Sequence, residues 1–141
     1  MSLENTAEDF NPRILIAAAK AVAHELICSE DCSAASVGAA LMTSSNTIHT
    51  GVCIDTACSL GFCAEHAAIA DMLKHRKTHI LAIVAVNSDG DVMPPCGRCR
   101  ELMRQVDPRN WHSRIIVSDD AVATLEELMP YSGPSAAGEN Q

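Results

Sequence analysis

Behind Asn11-Pro12, apolar positions recur at helical spacing: Ile14, Leu15, Ala18, Val22 and Leu26 share one face. The asparagine suits a cap and the proline a first helical turn, so the pattern predicts a helix from about Pro12 to Ile27. From Ala35 to Met42 the residues become small and apolar, then end in the polar cluster Thr43-Ser44-Ser45-Asn46. That predicts a strand and a turn, with a second strand over Thr47 to Cys53 completing a hairpin. A loop from Asp55 to Gly61 leads to a second helix starting near Phe62. Ile69, Met72 and Leu73 point it inward, and Lys74-His75-Arg76-Lys77 place cations at its C-terminal end, where the helix dipole favours them.

The run from His79 to Val86 is continuously apolar, the mark of a central strand covered on both faces. After the turn Asp89-Gly90 and Pro94-Pro95, a third helix carries Cys99, Leu102, Met103 and Val106 on its inner face and stops before Pro108. A strand over Ser113 to Val117 and a short helix over Thr124 to Leu128 follow. Strands alternating with helices predict one α/β domain over residues 12–131 with a mixed sheet, the hairpin antiparallel and the later crossovers parallel. Residues 1–11 are expected to be a flexible lead-in. The Gly-, Pro-, Ser- and Ala-rich residues 132–141 are expected to be a mobile tail.

Composition narrows the function classes. Nearly half of the 141 residues are hydrophobic, yet no apolar run approaches the roughly 18 residues of a membrane span, so no membrane partner is expected. Ten Lys plus Arg stand against eighteen Asp plus Glu, a formal net charge of −8, and the aromatic residues are only Phe10, Phe62, Trp111 and Tyr131. Nucleic-acid binding draws on clustered cations and stacking rings, so neither duplex nor single strand is an expected partner. The seven cysteines are an odd number in a chain whose apolar content needs no staples. That suggests a reducing compartment, and with no basic-then-apolar leader the expected location is cytoplasmic.

Two short stretches carry the chemistry: Cys63-Ala64-Glu65, and about thirty residues later Pro95-Cys96-Gly97-Arg98-Cys99. Both fall at predicted helix starts, where unpaired N–H groups and the positive dipole end favour thiolate over thiol. A Cys-x-x-Cys pair alone also occurs as a redox couple, but the third cysteine at a second helix start turns the reading toward a shared metal. Three thiolates match a catalytic zinc site, which leaves its fourth position open, rather than a closed structural site of four ligands. Glu65, two residues after a ligand, is placed to shuttle protons without ligating. Three thiolates on a divalent ion leave a charge of −1 for the helix ends, Arg98, Arg100 and His66 to offset. Cys28, Cys32, Cys53 and Cys58 read as buried small hydrophobes or loop thiols. His24, His49, His75, His79 and His112 show no ligand spacing and read as structural or solvated.

The signature Cys-Ala-Glu followed by Pro-Cys-x-x-Cys resembles the cytidine deaminase superfamily of zinc hydrolases. Val37-Gly38-Ala39-Ala40-Leu41 is similar to that family's first strand, and Gly51 to Cys63 to its approach to the metal. The resemblance implies a three-layer α/β/α fold with five strands, one zinc per subunit on Cys63, Cys96 and Cys99, and Glu65 as proton shuttle. It implies hydrolytic loss of the 4-amino group from cytidine or deoxycytidine, with the backbone at Ala64 and Pro95 lining the base pocket. Homodimers or homotetramers in which neighbours complete each site are implied too.

The departures bear on the substrate. Where the family carries Asn-x-Glu to hold ribose, this chain has Cys53-Ile54-Asp55, and Asp55 is also an ordinary turn residue. Ala35 replaces an aromatic residue, and His66 stands where relatives carry arginine. Ile48 to Val52 and Pro95 to Arg100 are similar to the blasticidin S deaminase branch, so a modified nucleoside is the alternative substrate. A nucleic-acid editing enzyme is disfavoured by charge and aromatic content, and a zinc-binding interaction protein without catalysis by the presence of Glu65.

Overall fold

The side chain of Asn11 accepts the Arg13 N–H at 3.0 Å and caps helix α1 (Pro12–Val22), with Pro12 in its first turn. The computed structural model describes residues 10–132, so the expectations for the two ends fall almost wholly on residues outside those described. Helix α1 stops sooner than the apolar spacing predicts. Ala23 departs from helical geometry (φ −83°, ψ 66°) while its N–H closes onto the carbonyls of Ala19 and Lys20. Leu26 and Ile27 instead enter strand β1 (Leu26–Ser29), which pairs with the start of β2 (Cys32–Thr43), Leu26 opposite Ala34 and Ile27 opposite Ser33. Cross-strand pairing overrides a helical period that continues by coincidence.

Strand β2 and strand β3 (Ile48–Thr56) form the predicted antiparallel hairpin, Leu41 opposite His49. The other edge of β2 pairs antiparallel with β4 (Ile80–Asn87), which runs parallel to β6 (Arg114–Ser118); β6 returns antiparallel into β7 (Ala121–Thr124). The path β3-β2-β4-β6-β7 is the expected five-stranded mixed sheet, and β1 with the two-residue β5 (Val92–Met93) brings the total to seven strands. The helix expected over Thr124 to Leu128 is absent: β7 ends at Thr124, and hydrogen-bonded turns follow, Leu128 N–H to the Leu125 carbonyl and Met129 N–H to that of Glu126.

Alternation along the strands divides the core in two. Ala39, Leu41, Ile83, Ala85 and Ile115 pack against Ile69 and Met72 of α2 (Ala64–Lys74) and Met103 of α3 (Gly97–Val106). Ala40, Met42, Val84, Val86 and Ile116 pack against Leu15 and Ala19 of α1. The sheet therefore lies between helical layers, and every residue of β4 from Ile80 to Val86 is buried. Each fully buried Ile or Met contributes roughly 2 kcal/mol relative to exposure, enough for Ile69 and Met72 to fix the place of α2.

Two glycines bring the start of α2 to the sheet edge. A Cβ at Gly51 would lie 2.4 Å from the Ala68 nitrogen, so the α2 backbone rests directly on β3. A Cβ at Gly61 would lie 1.7 Å from the Ile54 carbonyl oxygen, and only its absence lets Phe62 and Ile54 exchange backbone hydrogen bonds of 3.0 Å in both directions. At the far end of α3, fully buried Asn110 accepts the Ile80 N–H at 2.8 Å and donates to the carbonyls of Met103 at 2.9 Å and Thr78 at 3.2 Å. No helix among the described residues is long and apolar enough to cross a membrane.

Candidate active site

Cys63 and Cys96 occupy equivalent places. Each is the N-cap of its helix, α2 or α3, in extended backbone (ψ 155° and 171°), and neither side chain caps that helix by a hydrogen bond. A serine or aspartate there would turn back onto the helix N–H groups, whereas these sulfurs project outward toward each other. Their Sγ atoms lie 3.5 Å apart, and Cys99, buried in the first turn of α3, places its Sγ 3.4 Å from that of Cys96. Tetrahedral sulfur ligands at about 2.3 Å from zinc stand about 3.8 Å apart, so this donor set fits the ion with small adjustments. Burial raises the Cys99 thiol far above its ordinary range and raises Cys63 as well. At Cys96 burial also acts upward, but hydrogen bonds from the Cys99 backbone and the Cys63 thiol bring it below. Three thiols crowded in this way become stable thiolates when a cation lies between them.

Glu65 follows on the first turn of α2 and is only 5% exposed. Burial raises its carboxyl above the usual range, opposed by its own N–H and by the thiol of Cys99 beside it. Cys63, Glu65, Cys96 and buried Ala64 lie along a cleft of about 430 Å³ that Asp55 and Arg98 also line. Pro95 sits elsewhere: it borders a smaller recess behind Glu65 with Ile83 and Ile115, while Pro94 faces the cleft. Arg100 is committed away from the sulfurs, donating from Nη1 to the Leu128 carbonyl at 2.7 Å and tying α3 to the turns after β7.

The cleft also contains Ser36, a residue that sequence reading missed. Cys53 is buried, with its Sγ accepting the Val37 N–H at 3.3 Å and lying 3.3 Å from Ser36 Oγ. Ser36 Oγ in turn donates to Asp55 Oδ2 at 3.4 Å, so Ser36, Cys53 and Asp55 form one polar group on the cleft. Ser36 arrives there because β2 bulges between Ala34 and Gly38, with Ala35 in the left-handed region at φ 65°. A run of small residues gives no sequence signal for such a bulge.

Residues 13–113 match the family model described as the cytidine and deoxycytidylate deaminase zinc-binding region. A cytidine deaminase of Halalkalibacterium halodurans is 30% identical over 97 residues, covering 67% of this chain and 74% of that protein. One from Mycobacterium tuberculosis is 32% identical over 68 residues, 48% of this chain and 51% of that protein. Among solved structures, the cytidine deaminase of Mycobacterium leprae superposes with a TM-score of 0.71 at 28% identity, covering 86% of this chain and 99% of the other. That of M. tuberculosis gives 0.76 at 24% identity, over 90% and 100% of the two chains, a likeness of fold. Because the matched region contains both cysteine clusters and most of the sheet that brings them together, this chain belongs to the cytidine and deoxycytidylate deaminase zinc-binding family.

Proposed function

We propose that this protein is a zinc-dependent hydrolytic deaminase of a cytidine-like nucleoside, with Cys63, Cys96 and Cys99 holding one zinc per chain and Glu65 moving the protons. The observation that carries this reading is a buried carboxyl set beside three converging sulfurs along a cleft. When bound, zinc would supply Lewis acidity, lowering the pKa of water to about 7. The carboxylate of Glu65 takes a proton from the water that adds to the ring carbon bearing the amino group. It passes protons to the ring nitrogen and then to the amino nitrogen; the C–N bond breaks, ammonia leaves and a carbonyl remains. Burial keeps Glu65 out of bulk water, so its proton goes to the substrate rather than to solvent.

Asp55, with Ser36 and Cys53 beside it, is the group that meets the sugar; its carboxylate accepts a hydroxyl hydrogen bond. The backbone at Ala64 faces the base, and Pro95 supports that wall from behind. Leu60 is 81% exposed and Phe62 38% exposed next to the cleft, apolar surface suited to a neighbouring chain in a homodimer or homotetramer that works in the cytoplasm. Residues 12–131 act as a single deaminase domain.

The test is ammonia release by zinc-loaded protein across cytidine, deoxycytidine, cytosine, other aminated bases and blasticidin S. Turnover of cytidine or deoxycytidine is the expected result, and turnover of blasticidin S alone would move the substrate to that branch. Silence across the panel with zinc bound overturns the reading. Cys96→Ser is expected to lower zinc content and activity together, checked by metal analysis.

A further inference from the structure

A second group of metal-ligating side chains converges at the opposite end of α2, away from the cleft. Asp71 and His75 stand one turn apart on that helix, and His49 meets them from β3. His49 Nδ1 lies 2.8 Å and His75 Nδ1 4.0 Å from the same carboxylate oxygen, Asp71 Oδ2, and each of the three residues offers a ligand atom within 4.8 Å of the other two. The two imidazole rings are tilted together with centroids 5.0 Å apart. We propose that His49, Asp71 and His75 form a second metal site, which takes zinc or a similar borderline divalent transition ion with water completing its coordination.

The donor chemistry selects the class of ion. Two imidazole nitrogens and one carboxylate suit zinc, copper or nickel, whereas magnesium and calcium prefer oxygen alone. Bonds of about 2.0–2.1 Å place neighbouring ligands about 3.3 Å apart, between the 2.8 Å and 4.0 Å separations present here. The ion replaces the proton that His49 Nδ1 shares with Asp71, and His75 closes from the side. To do so, His75 Nδ1 releases the Asp71 carbonyl it now meets at 2.9 Å, a motion open to a side chain that is 54% exposed.

The surroundings of His49 favour the exchange. Its ring is buried, and Nε2 lies 3.0 Å from Thr47 Oγ1, itself 2.7 Å from Thr43 Oγ1. An ionised Asp71 only accepts, so His49 holds a proton on Nδ1 toward it. With a metal on Nδ1 the ring would carry its proton on Nε2, donating to Thr47 Oγ1, whose hydroxyl turns to Thr43. An oriented donor on the far nitrogen is the usual support of a metal-bound histidine. Lys74 Nζ engages Asp71 Oδ1 at 3.2 Å, which leaves Oδ2 for the ion. Such a site would clamp the C-terminal end of α2 to β3, independently of the chemistry in the cleft.

The experiment is calorimetric titration of the protein, already holding one equivalent of zinc, with further zinc, alongside His75→Ala and Asp71→Asn. The parent is expected to take up a second equivalent per chain. Each variant should bind it at least roughly tenfold more weakly, about 1.4 kcal/mol, without a change in metal-free melting for the exposed His75. Cobalt loading separates the two sites, because only the cysteine site gives sulfur-to-metal charge-transfer absorption. Failure at the cysteines is thus distinguishable from failure here. A stoichiometry that stays at one, or a second equivalent bound equally by parent and His75→Ala, overturns the assignment.

Discussion

The two ends of helices α2 and α3 are built on opposite plans. At the N-terminal ends, Cys63 and Cys96 leave their helices without side-chain caps and turn their sulfurs toward each other. At the C-terminal ends hydrogen bonds are dense: His49 and Lys74 hold Asp71, while Thr78 and Arg109 hold Asp107 and Asn110 takes the Met103 carbonyl. The contrast teaches where each kind of free energy is placed. Sulfurs that bond only to one another at one end are placed for a metal, and the hydrogen-bonded networks at the other end, including the Asp71 cluster in which an ion would replace a shared proton, keep the helices in place.

Changes at the N-terminal ends should remove function and spare the fold. Glu65→Gln is expected to keep its zinc and its melting temperature while ammonia release falls by roughly 10² to 10⁴; unchanged turnover would sink the proton-shuttle role. The reverse is expected at the C-terminal end of α3. Asn110→Ala leaves a buried N–H and two carbonyls unpaired, at a cost of about 3 kcal/mol in urea unfolding, yet zinc content at low denaturant should match the parent. Gly51→Val tests whether the two ends move as one body. Its side chain would collide with backbone at Ala67 and Ala68 in mid-helix, costing about 1–3 kcal/mol. Zinc affinity should weaken along with stability, and a purely local effect on either would separate the ends.

This contrast also marks what the sequence makes legible. Cys63-Ala64-Glu65 and Pro95 to Cys99 are contiguous motifs, so the three cysteines and Glu65 can be singled out before any fold is known, and the structure brings them together. The β2–β3 hairpin, the buried strand β4 and the parallel β4–β6 crossover follow from alternation and apolar runs. What escapes depends on residues distant in the chain. His49 and Asp71 are 22 positions apart and meet only because Gly51 lets α2 lie on β3. Ile80 and Asn110 meet across thirty. Ser36 reaches the cleft through a bulge, and Leu26 and Ile27 leave the helical pattern for a strand because β2 offers an edge to pair with.

The smallest effect is expected at Asp107, where it takes the form of a pH dependence. The Arg109 guanidinium donates to both carboxylate oxygens, the Arg109 N–H and Thr78 hydroxyl add to it, and the carboxyl is held well below its ordinary range. A pKa lower in the folded than in the unfolded state means that the folded form binds its proton less readily. The resulting stability is complete above the unfolded value of about 3.9 and is lost as pH falls toward the folded value. The carboxylate is buried, but Arg109 is 63% exposed and solvent screens part of the pair, so the contribution is on the order of 1 kcal/mol. Asp107→Asn should therefore melt below the parent at pH 7, and the gap should narrow through pH 4 and below as the parent alone loses this term. A constant gap from pH 7 to pH 3 would show that Asp107 acts through shape and neutral hydrogen bonds rather than charge.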